Sequence, residues 1–263
     1  MTIGFAQSID DFLDQHRTNH HVTQYGKAAI VKSVLEAERK SKLYYQPHTE
    51  ETFDQTRFAD TWFLKFIHML GREVPRENVS QIFDHVSFII FNYDRSVEYF
   101  LRNALSNLYS IHLDQAQSIV DDLAIIHPYG LIPAQTSFGA TRANYIKLAA
   151  DIKTYTEQIA DADLKTQLTD QILRAECIVF LGFAYHAQNI RLLQPAEGMA
   201  AKRTYGTAYG MSNADRDLTA HQLAGFFSSD IPAVGRLALI QLDNSLTAAG
   251  LFDYYAKSLS GGD

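Results

Sequence analysis

The sequence predicts an α/β fold with a Rossmann-like parallel sheet covered by helices on both faces. Three short runs carry this prediction, and they are residues 86–91, 124–126 and 177–181. Each run is apolar and rich in β-branched or aromatic residues, which is typical of a buried parallel strand. Amphipathic stretches separate the runs, and strands that alternate with helices indicate a sheet between two helical layers.

Composition limits the classes of protein to which the chain can belong. Its 263 residues are 46% hydrophobic, which is enough to bury the core of one large domain or two small ones. A net charge of −7 argues against general nucleic-acid binding, because such a partner requires a basic face. The one cysteine, Cys177, excludes a disulfide framework within the chain and a cysteine-rich zinc ribbon. We therefore expect a reducing, cytoplasmic environment. No membrane partner is expected, because no apolar run approaches the roughly 20 residues of a membrane span.

The chain is interpreted as a single domain in three parts. A mostly helical part covers residues 1–75, the sheet core covers residues 76–210, and a helical C-terminal part covers residues 211–263. The first boundary follows a change in hydrophobic pattern, from helical spacing to continuous apolar runs.

Helices are predicted where apolar residues recur every three or four positions. The first part contains three of them, at residues 9–13, 27–43 and 61–70. Ser8 is expected to cap the first of these helices, and Gly71 is expected to end the third. Further helices are predicted at residues 97–108, 114–123, 143–150 and 164–175, and a further short strand at residues 152–155.

Polar residues follow each of the three predicted strands. The first strand leads into Asn92, Tyr93, Asp94 and Arg95, the second into His127-Pro-Tyr-Gly130, and the third into Gly182, His186 and Asn189. Parallel sheets bind ligands beyond the carboxyl ends of their strands, so these positions are suited to a site. Asn and Asp can hydrogen-bond a ribose or a carboxamide, and His can act as a base near neutral pH.

Each of these residues also has a purely structural interpretation. Asn92 or Asp94 can cap the helix that follows, and taken alone capping is the favoured interpretation. His127 before Pro128 can be an ordinary loop residue, and Gly182 can serve a tight turn. The placement of such residues after three successive strands favours a site, and both interpretations stay open.

Three segments resemble the SIR2-like, or sirtuin-like, NAD-binding family, in particular its bacterial SIR2-like group. Residues 89–98, Ile-Ile-Phe-Asn-Tyr-Asp-Arg-Ser-Val-Glu, resemble the family's Asn-x-Asp segment at a strand end. Residues 127–130, His-Pro-Tyr-Gly, resemble its His-Gly segment with two residues inserted. Residues 178–193 resemble its later Gly-containing strand.

The resemblance implies an NAD site and a reaction at that site. By this resemblance, Asn92 binds and orients the nicotinamide ribose or an attacking water, and Asp94 holds the nicotinamide carboxamide. His127 polarises a ribose hydroxyl or acts as general base. The residues that the resemblance places around the cofactor are Tyr93, Asp94, Arg95, Gly182, His186 and Asn189. The implied chemistry is cleavage of the bond between nicotinamide and ribose through an oxocarbenium-like state.

Two departures from the family pattern bear on this expectation. The family opens with a strand and a Gly-Ala-Gly-x-Ser-type loop that cradles the pyrophosphate, and the sequence contains no such loop. The chain then lacks about one βα unit, or has a misplaced start, or has lost the usual mode of NAD binding. Its single cysteine cannot build the zinc module of deacetylating sirtuins, which favours NAD hydrolysis or binding alone over protein deacetylation.

The sequence therefore predicts a SIR2-like protein that either binds NAD or consumes it by hydrolysis, with NAD or a related nucleotide as its small-molecule partner. The alternative is a non-catalytic SIR2-like scaffold that serves in binding or assembly, and formation of a homo-oligomer is left open. A helical interaction protein with only a small sheet is a third interpretation.

The remaining candidates are assigned structural roles. His16, His20 and His21 have no carboxylate at the position that a zinc protease would require, so no metal site is predicted. Cys177 is interpreted as an inert core thiol. Four aromatic residues are interpreted as packing residues, namely Tyr205, Tyr209, Phe226 and Phe227.

Overall fold

The structure is a computed structural model that describes residues 9–46, 53–154, 157 and 161–260. Helices and parallel strands alternate in it, so the mixed α/β class is confirmed. By its contacts the chain divides into two compact units. Unit 1 comprises Met1–Arg57 and Val74–Leu164, and unit 2 comprises Phe58–Glu73 and Lys165–Asp263.

Among the described residues, helices outnumber strands. In chain order the elements are α1 (Ile9–Gln15), α2 (His20–Lys40), α3 (Trp62–Gly71), β1 (Ser87–Ile89), α4 (Ser96–Tyr109), α5 (Leu113–Asp121), β2 (Ala124–Ile126), α6 (Tyr145–Leu148), α7 (Ala162–Arg174), β3 (Cys177–Phe180), α8 (Ala187–Leu193), β4 (Arg203–Thr207), α9 (Asn213–Ala224), α10 (Ala233–Ala238), β5 (Ile240–Asp243), α11 (Ala248–Tyr254) and α12 (Ala256–Leu259). Short 3-10 helices occur at Gln55–Phe58, Arg76–Gln81 and Ala149–Asp151. None of the helices in the described ranges is long and apolar enough to cross a membrane.

Unit 1 packs its long helix α2 against α1 and α6. The side chain of Asn19 caps α2 by accepting the backbone N–H of Val22 at 3.2 Å, so the helix begins seven residues earlier (27 − 20) than predicted. A cluster of buried apolar side chains lies between these elements, and its members are Leu13, Ile30, Val31, Leu35, Ile132 and Ile152. Helix α4 packs on α5, and the residues that α4 buries recur at helical spacing, namely Val97, Phe100, Leu101, Ala104 and Leu105.

Two of the predicted strands form a parallel pair in unit 1. Strands β1 and β2 pair from Ser87 with Ala124 to Ile89 with Ile126. The strand predicted at residues 152–155 is reduced to an isolated antiparallel bridge between Ile152 and Gly130, and Tyr155 lies outside the described residues.

Gly130 explains this close approach of two backbones. Its φ is +75°, and a Cβ built on it would stand 2.0 Å from the carbonyl oxygen of Asp151. Only glycine can adopt this positive φ without strain and also lacks the Cβ that would clash with the carbonyl oxygen. The two residues inserted before Gly130 make a turn, in which the N–H of Gly130 donates to the carbonyl of His127 at 3.0 Å.

Unit 2 contains a three-stranded parallel sheet in the order β3-β4-β5. Strand β3 is the third predicted strand, whereas β4 and β5 were not predicted. Strand β4 is central and buries Thr204 and Thr207. These polar residues are accommodated there because the hydroxyl of Thr204 donates to the carbonyl of Lys202 and that of Thr207 accepts the N–H of Gly182. The C-terminal part, predicted as helical, therefore also contains the strand Ile240–Asp243.

Helix α3 belongs to unit 2, where it packs on α11. The ring of Phe252 on α11 lies 6.1 Å from the Trp62 ring and 6.0 Å from the Phe66 ring, measured between centroids. Lys65 donates a hydrogen bond to Asp253 beside these rings. The amphipathic period that predicted α3 thus corresponds to a packed aromatic face.

The aromatic residues assigned to packing are mostly buried. Tyr205, Phe226 and Phe227 are buried, as predicted. Tyr209 is 70% exposed, because it follows the end of β4 in a turn, so it does not belong to the core. Cys177 is a free, half-buried thiol, and burial raises its pKa, which lowers the fraction of reactive thiolate at neutral pH.

Candidate functional site

The carboxyl ends of β1 and β2 lie side by side in unit 1. The N–H of Ile90 donates to the carbonyl of Ile126 at 2.8 Å, which continues the parallel pairing to the ends of both strands. His127 follows β2 directly, and Asn92 follows the end of β1. The pairing therefore brings Asn92 and His127 to one edge of the sheet, where α/β proteins place their ligands.

The imidazole of His127 has an oxygen near each of its nitrogens. Nε2 lies 2.7 Å from Oε1 of Glu98, and Nδ1 lies 3.5 Å from the backbone carbonyl oxygen of Asn92. The contact with Glu98 is partly buried, whereas the contact with Asn92 is exposed. A carboxylate only accepts hydrogen bonds, so Nε2 is the donor in the pair with Glu98.

Glu98 is the functional candidate that sequence reasoning missed. It is the acidic residue of the first turn of α4, and it ends the segment that resembles the SIR2-like family. Acidic residues are favoured in a first helical turn by the helix dipole, so its position suggested no further role. Its partner His127 is 29 residues away in the chain, a contact that sequence periodicity does not show.

Neither Asn92 nor Asp94 is the N-cap residue of α4, because that residue is Arg95, which makes no side-chain capping bond. Asp94 lies one residue before it. Its Oδ1 accepts the backbone N–H of Ser96 at 3.0 Å, where α4 begins. Asn92 itself is exposed. The contact of Asp94 with a nicotinamide carboxamide stays a prediction.

Tyr93 contributes to an aromatic group beside the strand ends. The Tyr93 and Tyr129 ring centroids are 6.1 Å apart, and Phe91 meets Tyr129 edge-on at 5.9 Å. Tyr129 is buried, so this aromatic group packs in the interior next to the strand ends.

Arg95 lies inside unit 1 and pairs with Glu38. Its Nε and Nη2 donate to the two carboxylate oxygens of Glu38 at 3.1 and 2.8 Å. The Arg95 side chain is 9% exposed and that of Glu38 is 0% exposed. Nη1 and Nη2 also donate to backbone carbonyls of the loop after β2, namely those of Pro133, Thr136 and Ser137.

The same carboxylate also holds that loop directly. Glu38 Oε2 accepts the backbone N–H of Gly139 at 2.8 Å. The five N–H bonds of Arg95 are thus directed to groups of unit 1, which gives the residue a structural role. A contact between Arg95 and NAD stays a prediction.

The remaining candidates, Gly182, His186 and Asn189, belong to unit 2. Gly182 follows β3 with a φ of +58°, and its N–H donates to Oγ1 of Thr207 at 2.9 Å. The backbone carbonyl of His186 accepts the N–H of Asn189 at 2.9 Å, where α8 begins. Gly182 and His186 are exposed, and the contact of all three residues with NAD stays a prediction.

Tyr185 lies between these residues in an unusual conformation. Its φ of +53° falls in the left-handed region, which side chains other than glycine seldom adopt. Its hydroxyl donates to the carbonyl of Thr207 at 3.2 Å, and burial raises the pKa of this phenol. The hydrogen bond ties the loop after β3 to the end of β4, which compensates the local strain.

Asp243 organises the loop that follows β5. Its Oδ1 accepts the hydroxyl of Ser245 at 2.6 Å, the N–H of Ser245 at 2.7 Å and the N–H of Leu246 at 3.0 Å. The Ser245 hydroxyl, with the two N–H groups and Arg216, lowers the pKa of Asp243 against the opposing effect of burial.

This lowered pKa gives a prediction about stability and pH. A carboxyl whose pKa is lower in the folded state stabilises the fold above its unfolded pKa of about 3.9, and the contribution disappears as the pH falls through the folded value. Asp243→Ala should lower the free energy of unfolding by about 0.5–2 kcal/mol at pH 7, as for a lost cap. The difference from wild type should shrink below about pH 4.

Urea unfolding at pH 7 and at pH 3 measures both effects. The exposed Asp170 on α7 supplies the control, because Asp170→Ala should not reproduce the loss of stability at pH 7. A difference between Asp243→Ala and wild type that is equal at both pH values would contradict the prediction.

No group of three His, Cys, Asp or Glu side chains within residues 9–46, 53–154, 157 and 161–260 is arranged to hold a metal ion. Of the three histidines considered for a metal, His16 directs Nδ1 to the carbonyl of Phe12 at 2.8 Å. Nδ1 of His16 is therefore hydrogen-bonded to the backbone of residues 12–16.

Comparison with known proteins adds no relative. No family model, no curated protein and no solved structure matches the chain.

Proposed function

We propose that the chain is a SIR2-like NAD hydrolase with a Rossmann-like arrangement, in which Asn92 and His127 are the catalytic residues. The observation that carries the proposal is the proximity of these two residues at the carboxyl edge of β1 and β2. The resemblance gives both residues a role in NAD cleavage, and parallel sheets bind ligands at this edge.

The proposed reaction cleaves the bond between C1′ of the ribose and the ring nitrogen of nicotinamide. The electron pair of this bond stays with nicotinamide, which loses its positive charge. Water adds to the oxocarbenium-like C1′, and His127 takes a proton from the water as general base. Asn92 orients the ribose or the water, and the products are nicotinamide, ADP-ribose and a proton.

Measurement of nicotinamide release from NAD tests the proposal. Wild type should release nicotinamide, and Asn92→Ala should release none that can be measured. Asn92 is exposed, and the side-chain hydrogen bond to the N–H of Ser96 at the start of α4 comes from Asp94, so the free energy of unfolding of the variant should lie within about 0.5 kcal/mol of wild type. Folding and catalysis are therefore separable at this position.

Asn78 supplies the matched control, because it is an exposed asparagine of the same unit. Asn78→Ala should keep the wild-type rate. Wild type that releases no nicotinamide, or Asn92→Ala that releases it at the wild-type rate, would refute the proposed function.

A second candidate is a non-catalytic scaffold that acts in binding or assembly. It is favoured by the 6% exposure of the His127 side chain and by the use of Arg95 within unit 1. NAD binding in calorimetry without nicotinamide release would support this candidate over the hydrolase.

A further inference from the structure

Helix α4 holds Glu98 at a fixed place beside His127. Val97 precedes Glu98, Phe100 follows it by two residues, and both are buried, so the first turns of the helix are anchored in unit 1. The Glu98 side chain is 21% exposed, and its Oε1 is the atom that contacts Nε2 of His127 at 2.7 Å. Because the helix is anchored, the carboxylate of Glu98 has little freedom to move away from the imidazole of His127.

The carboxylate of Glu98 is directed at His127 alone among the hydrogen-bond donors in the described part of the chain. Its second oxygen, Oε2, is buried and has no hydrogen-bond partner among the residues described. A buried carboxylate oxygen without a partner is costly, which offsets the stabilisation that an acid gains in a first helical turn.

The pair decides which nitrogen of the imidazole can accept a proton. A neutral imidazole carries hydrogen on one nitrogen and a lone pair on the other. Because Nε2 donates to Glu98, the lone pair is on Nδ1. Nδ1 faces the backbone carbonyl oxygen of Asn92 at 3.5 Å, which is at the limit of a hydrogen bond, so this nitrogen is held only weakly.

We infer that Glu98 is a positioning residue, which fixes the tautomer and orientation of His127 and thereby makes Nδ1 the nitrogen that receives the proton of water. This inference rests on the proposed NAD hydrolysis. The arrangement follows the general logic of a base that is oriented by a third group. Glu98 itself transfers no proton and contacts no substrate in this scheme.

Nitrogen-15 NMR of the histidine side chains tests the tautomer without any substrate. The His127 signals are assigned by their loss in His127→Gln. Wild type should show hydrogen on Nε2 and a lone pair on Nδ1, and Glu98→Gln should show a mixture of both tautomers, because an amide can either donate or accept. Hydrogen on Nδ1 in neutral wild type would overturn the inference.

Steady-state kinetics tests the consequence for turnover. Glu98→Gln should lower kcat for nicotinamide release by about 10²-fold or more and leave KM unchanged, because the ring is misdirected only for proton transfer. Glu36→Gln on α2 is the control, since it makes the same chemical change at an exposed helical position of unit 1. Wild-type kcat in a folded Glu98→Gln variant would overturn the inference.

The two readouts separate the inference from the function on which it rests. Wild type that releases no nicotinamide refutes the hydrolase, and the NMR result then decides the tautomer alone. A Glu98→Gln variant that does not fold, as judged by far-UV circular dichroism, leaves the wild-type tautomer as the deciding measurement.

Discussion

Arg95→Met is expected to lower the free energy of unfolding by about 3–5 kcal/mol, because it leaves a charge buried without its partner. The Glu38 side chain that remains is fully buried and is bonded otherwise to the N–H of Gly139. The carbonyls of Pro133, Thr136 and Ser137 also lose their donor. Arg95→Lys should recover little, since a single ammonium cannot reproduce the planar set of donors.

Urea unfolding of the Arg95 variants measures this effect. Lys32→Met is the control, because Lys32 and Glu36 form an exposed pair with atoms 3.8 Å apart, and such pairs contribute at most about 1 kcal/mol. The double variant Arg95→Met with Glu38→Met should be more stable than Arg95→Met alone, since the isolated charge is gone. An Arg95→Met variant within about 1 kcal/mol of wild type would contradict the buried pair.

His127→Ala is expected to lower kcat for nicotinamide release by about 10²–10⁴-fold, the usual contribution of a positioned base. NAD affinity should fall much less, because the proton is transferred only in the chemical step. His127→Gln should lose turnover to a similar extent while it keeps a donor for Glu98, since an amide accepts no proton at neutral pH.

Calorimetry with NAD and steady-state kinetics together test the role of His127. His85→Ala is the control, because His85 is an exposed histidine of the same unit, and this variant should retain the wild-type kcat. An equal loss of affinity and turnover in His127→Ala would indicate a binding residue in place of a base.

The strands that could be predicted are those whose sequence is apolar throughout. β1, β2 and β3 lie within the predicted runs, and β1 and β3 are shorter than their runs because the chain turns away to form the polar strand ends. Strand β4 contains Arg203, Thr204 and Gly206, a mixed set that does not resemble a continuous apolar run. Its place between β3 and β5 comes from tertiary pairing, which a local pattern does not contain.

The candidate site could be predicted in part for the same reason. Asn92 and His127 follow apolar strands, and parallel pairing places such residues together. Glu98 and Glu38 are acids within helical patterns, and their partners are 29 and 57 residues away in the chain. In a sequence such acids look the same as exposed helical acids, so only the fold identifies them.

A ribosome makes the chain from its N-terminus, and the two segments of unit 2 are far apart along it. Lys65 on α3 and Asp253 on α11 are 188 residues apart. Synthesis of that interval takes roughly 10–40 s at about 5–20 residues per second. Unit 1 is fully synthesised once Leu164 has been added. The Trp62 and Phe66 rings of α3 can pack against Phe252 only after that residue has been synthesised. During that interval the nascent chain carries an uncovered aromatic helix, which is the kind of segment that chaperones bind.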